Sequence, residues 1–117
     1  MYTIDQAAAQ SGLTAHTLRY YEKAGILPSV GRNGGGHRRY SESDLGWIRF
    51  VSLLKATGMP LADIRAFVAA EKRGEAGRRS KIAVLQSHRA RMTAAMAELG
   101  AFLEKIDQKI AYYGDKS

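Results

Sequence analysis

From Ile82 onward, apolar residues recur at alternating steps of three and four: Ile82, Leu85, then Arg89, then Met92, Met96, Leu99, Leu103, Ile106, Ile110 and Tyr113. Nine of these ten positions are apolar or aromatic. The spacing averages three and a half residues, so every member falls on one narrow stripe of an α-helix, the seam of a coiled coil. A helix over residues 78–113 would be about 54 Å long at 1.5 Å per residue. A 117-residue chain holds nothing large enough to cover such a stripe, so the pattern predicts a second helix from another copy. The competing fate is packing back onto the N-terminal part, which a seam this narrow suits poorly. Arg89 in the seam and Gly100 within the helix are its two blemishes. Either can mark where the pairing starts, crosses or bends.

Upstream of the seam, helix caps divide the chain. Asp5 is an expected N-cap for a short Ala-rich helix closing at Ser11-Gly12, where glycine can adopt the left-handed ending. Thr14 is an expected cap for a second helix, Ala15 to Ala24, closed by Gly25. Two short helices joined by a tight glycine-containing turn have the outline of a helix-turn-helix. Pro28 forbids continuation, and Asn33-Gly34 within a glycine-rich stretch signals a hairpin turn. Ser41 with Asp44 three residues on predicts a capping box for a third helix whose buried side is Leu45, Ile48, Phe50, Val51 and Leu54. Gly58 ends that helix, and Pro60 opens a fourth with Ile64, Phe67 and Val68 as its apolar stripe. The expected architecture is mainly α: a winged helix-turn-helix with a small β-hairpin wing over residues 1–70, a hinge at 71–77, a dimerisation helix at 78–113 and a tail at 114–117.

Composition narrows the partners. Eighteen Lys and Arg against eleven Asp and Glu give a net charge of +7 and a pI near 9.9, which attracts polyanions such as nucleic acid or an anionic membrane surface. No run of some 18 apolar residues occurs, and the N-terminus lacks the charged and apolar regions of a signal peptide, so neither membrane insertion nor export is expected. The 117 residues include no cysteine, which removes disulfides, thiolate metal sites and cysteine nucleophiles and fits a cytoplasmic location. Nothing assembles a nucleophile, a base and an orienting group, so an enzyme is the poorest reading. His16, His37 and His88 have no ligand-like helical spacing, and neither metal nor other cofactor is expected.

The second helix carries the chemistry of recognition. At 100° per residue, His16, Arg19, Tyr20 and Lys23 share one face and Leu18 points the opposite way. Arg and His can meet phosphates or base edges, and tyrosine hydroxyls can donate to phosphate oxygens, although a solvated amphipathic face looks the same on the helix alone. The wing adds weight: His37-Arg38-Arg39-Tyr40 follows the glycine tip, with Arg32 on the opposite strand. Strand alternation puts His37 and Arg39 on one side and Arg38 and Tyr40 on the other.

Three segments together, Thr17-Leu18-Arg19-Tyr20-Tyr21-Glu22-Lys23-Ala24-Gly25-Ile26-Leu27-Pro28, Gly36-His37-Arg38-Arg39-Tyr40 and Gly58-Met59-Pro60-Leu61-Ala62-Asp63-Ile64, resemble the MerR family of bacterial regulators along the whole chain. The resemblance implies a homodimer, paired through an antiparallel coiled coil, on pseudo-palindromic promoter DNA. It implies that bending and untwisting the operator realigns promoter elements for RNA polymerase. By the same resemblance Arg19 and Tyr21 contact DNA from the recognition helix, with His16 and Thr17 beside them. Arg38 and Tyr40 act from the wing, and Lys55 meets phosphate from the third helix. The wheel prefers Tyr20 as the exposed tyrosine and the family pattern prefers Tyr21, so both stay candidates. His37 stands where relatives commonly carry an aromatic residue.

The resemblance also limits what this copy senses. Without cysteine it has no thiolate for soft metals and no thiol for aldehyde or nitrosative chemistry. Met92 and Met96 either fill the seam or line an interface pocket. Lys72, Arg73, Arg78, Arg79 and Lys81 either extend the DNA footprint or form a solvated hinge partly neutralised by Glu71 and Glu75. Two other readings remain open. A winged-helix architectural or recombination-accessory protein would bend DNA without regulating promoters, and overlong promoter spacers at its bound sites would argue against it. A coiled-coil adaptor that ignores DNA would tolerate Arg19→Ala.

Overall fold

The computed structural model describes residues 1–27, 31, 32, 36 and 38–115, and the side chains of Arg32 and Arg38 fall outside that description. Contacts divide the chain into two units, Met1–Val84 and Leu85–Ser117. The mainly α architecture expected from the sequence is the one observed.

The first unit begins with an extended residue. The Tyr2 backbone bridges to Tyr40, its N–H donating to the Tyr40 carbonyl at 2.7 Å and its carbonyl accepting from Tyr40 at 2.8 Å. With Tyr2 held extended, the helix can start only after Thr3, and α1 spans Ile4–Ser11. The Thr3 hydroxyl accepts from the Gln6 N–H at 3.2 Å, and the Gln6 side chain accepts from the Thr3 N–H at 2.9 Å, a reciprocal capping box. Asp5, the cap expected from sequence, instead occupies the first turn, where its carboxylate faces the positive end of the helix dipole. Gly12, at φ 73°, closes α1 in the left-handed conformation.

Helix α2 covers Ala15–Lys23, and the Thr14 hydroxyl accepts from the Thr17 N–H at 3.0 Å at its start. Two short strands follow, β1 (Gly31–Arg32) and β2 (Arg38–Arg39), paired antiparallel with Gly31 opposite Arg39 and Arg32 opposite Arg38. The Asn33-Gly34 turn and His37 lie outside the described residues. Helix α3 (Glu42–Ala56) starts on the expected box: the Ser41 N–H donates to Asp44 at 2.9 Å and the Asp44 N–H to the Ser41 hydroxyl at 3.0 Å. Pro60 precedes α4, Leu61–Lys72.

Helix α1 packs on α2 and α3, and α3 packs on α4. Leu18, Ile26, Tyr40, Leu45, Ile48, Val51, Leu54, Ile64 and Val68 are almost wholly buried among these elements. Phe50, expected in the core, is half-buried. It lies 5.7 Å from the Phe67 ring, which Trp47 stacks against at 5.4 Å. This aromatic group joins α3 to α4. The Tyr2 hydroxyl donates to a Glu42 carboxylate oxygen, and that bond, with the carboxylate's charge, holds the phenol's pKa above its ordinary value.

Residues 71–77, read as a hinge from their glycines and charges, are the end of α4 and a 3-10 turn, Gly74–Gly77. Gly77 is buried, and a Cβ built on it would lie 1.8 Å from the Ala70 carbonyl oxygen. Around this contact Lys81 pairs with Glu71 at 2.7 Å and the Arg73 guanidinium donates to the Ser80 hydroxyl at 2.9 Å. The chain then enters α5, Arg78–Gly114. In the second unit that helix leaves Met96, Leu99, Phe102, Leu103, Ile106, Ile110, Tyr112 and Tyr113 each more than half exposed. Among the described residues, no helix is long and apolar enough to cross a membrane.

The two glycine environments give a paired expectation. Gly77→Ala should lower unfolding free energy by about 1–3 kcal/mol, because a backbone carbonyl blocks the new methyl. Gly46→Ala, within α3 with nothing inside 4 Å of the added carbon, should raise it by about 0.5–1 kcal/mol. Urea titration of both variants checks the sign of each change.

Candidate nucleic-acid interface

Burial sorts α2 into two faces. Leu18 is wholly buried and Tyr21 is 4% exposed, whereas His16, Arg19, Tyr20 and Lys23 are all exposed. This is the division given by the 100° wheel, so of the two tyrosines Tyr20 lies on the open face and Tyr21 is a core residue. The Tyr21 ring, which the family resemblance places at DNA, packs inward in this structure. Thr17 is half-buried, and its hydroxyl accepts from the Thr14 hydroxyl at 2.9 Å. Its first task is the helix start.

The wing divides in the same manner. Tyr40, expected to reach DNA, is wholly buried and its backbone carries the bridge to Tyr2. In this structure Tyr40 anchors the wing to the start of the chain. Arg39 is half-buried beside it. Of the other wing candidates, His37 lies outside the described residues, as do the side chains of Arg32 and Arg38, whose backbones form the ladder.

Lys55, in the last turn of α3, is exposed, and its ammonium stands 5.2 Å from the Tyr20 ring centre and 5.1 Å from that of Tyr21. Two ring faces attract one cation here, a contact of about 0.5–1 kcal/mol at an exposed site, so the charge is held beside the open face of α2. From α4 the Arg65 Nε–H donates to the Ala24 carbonyl at the end of α2, at 2.7 Å. Lys23, on the same face by the 100° spacing, is exposed as well. No periodicity marks Arg65; only the tertiary approach of α4 to α2 does.

The basic cluster after α4 resolves differently. Lys81 is paired with Glu71, and Arg78 lies 3.5 Å from Glu75, as the partly neutralised reading expects. On α5, Ile82 is 45% exposed and Leu85 and Met92 are half-buried, while Met96, Leu99, Leu103, Ile106, Ile110 and Tyr113 form an open stripe. Phe102 and Tyr112, outside the heptad positions, are exposed as well and widen it. Among the described residues no group of three or more His, Asp or Glu side chains is arranged to hold a metal ion.

The pattern of the MerR HTH regulatory proteins matches residues 2–71, and that of the MerR DNA-binding region matches residues 45–111. The chain belongs to the MerR family. It is 36% identical over 112 residues to an uncharacterized HTH-type transcriptional regulator of Haemophilus influenzae, covering 96% of this chain and 83% of that one. A MerR-type regulator structure from Listeria monocytogenes superposes with a TM-score of 0.93 at 28% identity, over 97% of this chain and 86% of that one. HiNmlR, a MerR family regulator lacking the sensor domain and seen bound to promoter DNA, superposes at 0.88 with 35% identity, over 97% of this chain and 90% of that one. This MerR chain thus shares both its helix-turn-helix and its long helix with other regulators of the family.

The division of the tyrosines can be measured. Tyr21→Ala should destabilise the fold by about 3–5 kcal/mol, the usual loss for an aromatic side chain removed from a core. Tyr20→Ala should cost no more than about 1 kcal/mol, the worth of the exposed contact with Lys55. Denaturant unfolding of the two variants separates them, and equal losses would contradict the assignment.

Proposed function

We propose that this MerR chain is a homodimeric, sequence-specific transcription regulator. In this reading it binds pseudo-palindromic promoter DNA and controls transcription by bending and untwisting the operator, so that RNA polymerase meets realigned promoter elements. It acts in the cytoplasm, where the DNA is, and performs no catalytic step. The observation that carries the reading is the open face of α2: His16, Arg19, Tyr20 and Lys23 exposed opposite a buried Leu18 and Tyr21. A helix anchored on one side and basic on the other can enter the major groove, with its N-terminal residues at the base edges. The net charge of +7 supports it, because phosphate contacts supply most of the sequence-independent affinity. HiNmlR, caught on promoter DNA, supports it too.

Pairing follows from α5. Two copies aligned antiparallel would bury the stripe from Ile82 to Tyr113 of each against the other, and would set two α2 helices apart on one duplex. A palindromic operator mirrors that twofold symmetry. Met92 and Met96 then fill the seam. With no cysteine in these 117 residues, the thiol-based and thiolate-metal switches open to other MerR proteins have no donor here.

Two experiments test the parts separately. Arg19→Ala should weaken operator binding by roughly 1–3 kcal/mol, read by fluorescence anisotropy. Unchanged affinity with an unchanged salt dependence would refute the recognition-helix assignment. Replacing Leu99 and Ile106 together by Lys should yield monomers in light scattering and abolish palindrome binding. A dimer that survives both changes would refute pairing through α5.

A further inference from the structure

We infer that Arg65 is a DNA phosphate-binding residue, clamped against the C-terminal end of the recognition helix; the inference rests on the DNA-binding reading above. The last carbonyls of a helix carry the negative end of its dipole, so the C-terminal end of α2 would by itself repel a phosphate. Arg65 caps that end, its Nε–H donating to the Ala24 carbonyl at 2.7 Å. A guanidinium has five N–H donors in a fixed plane, and this bond uses one. It fixes the plane and leaves the edge formed by the two terminal nitrogens, which matches two phosphate oxygens at once. Arg65 is exposed, and among the described residues no carboxylate pairs with it.

The surroundings favour the same ligand. Lys23 lies in the last turn of α2, and Lys55 holds its ammonium 5.2 Å from the ring of Tyr20 in that same turn. Both are exposed. Three cations from three helices therefore gather at one helix end, with Glu22, half-buried, as the acidic residue on that turn. A recognition helix presents its N-terminal residues to the bases, which leaves the C-terminal end beside the sugar–phosphate backbone. The ligand is accordingly a backbone phosphate and not a base edge.

Two substitutions separate a phosphate contact from a purely positioning bond. In Arg65→Gln the amide nitrogen stands as many bonds from Cα as the arginine Nε, so it can keep the Ala24 hydrogen bond while removing the charge. Arg65→Lys keeps the charge and removes that donor. Each is measured by anisotropy against a labelled duplex that the wild-type chain selects from a random-sequence library, and against an unselected duplex, across a salt series, with thermal melts as the check on folding. Arg65→Gln should weaken binding to both duplexes. Its slope of log affinity against log salt should flatten by about 0.9 per chain, about twice that per dimer. Arg65→Lys should keep the wild-type slope. A glutamine variant with the wild-type slope, or a lysine variant as flat as the glutamine one, overturns the inference. A wild-type chain that selects no sequence would instead overturn the DNA-binding reading beneath it.

Discussion

The exposed apolar stripe on α5 is the constraint on which the rest depends. Burying one large aliphatic side chain is worth about 1.5–3 kcal/mol, and from Met96 to Tyr113 the helix leaves its seam residues more than half exposed. A polar-sided helix with so narrow a seam is stable when another helix covers it. Gly77, pressed on the Ala70 carbonyl, and the Lys81–Glu71 pair join the start of α5 to α4 without slack.

Within the first unit, the core serves chiefly to present α2. Leu18 and Tyr21 seat the helix, Lys55 lies over its tyrosine rings, and Arg65 holds its last carbonyl. These contacts come from three directions, so the orientation of the open face is set by α3 and α4 as much as by the turn before α2. Individually the polar contacts are modest, of the order of 1 kcal/mol. In the proposed mode of binding they would orient the basic groups before DNA arrives, which would lower the ordering entropy that binding must overcome.

Much of this was legible in the sequence because local chemistry and tertiary packing agree. Thr14 and Ser41-Asp44 cap the helices they announce, and the exposed stripe of α5 and the exposed face of α2 follow from period alone. The misreadings occur where two local solutions compete. Thr3 and Asp5 are both good caps, and the Tyr2–Tyr40 bridge, between backbones far apart in sequence, favours Thr3. Tyr20 and Tyr21 are chemically the same, so only the direction of Leu18 says which is buried. Glycines at 74 and 77 suggest freedom, yet one permits a 3-10 turn and the other a close approach. Arg65 carries no sequence signal at all, because its partner is a backbone carbonyl brought near by folding.

Pairing and DNA reading are a single claim, that two α2 helices meet one duplex through one α5 seam. Its most direct test is the molar mass of the complex formed at saturation on a selected palindromic duplex, measured by light scattering. Two chains of 12.8 kDa per duplex are predicted. One chain per duplex, bound with full sequence preference, would contradict the account.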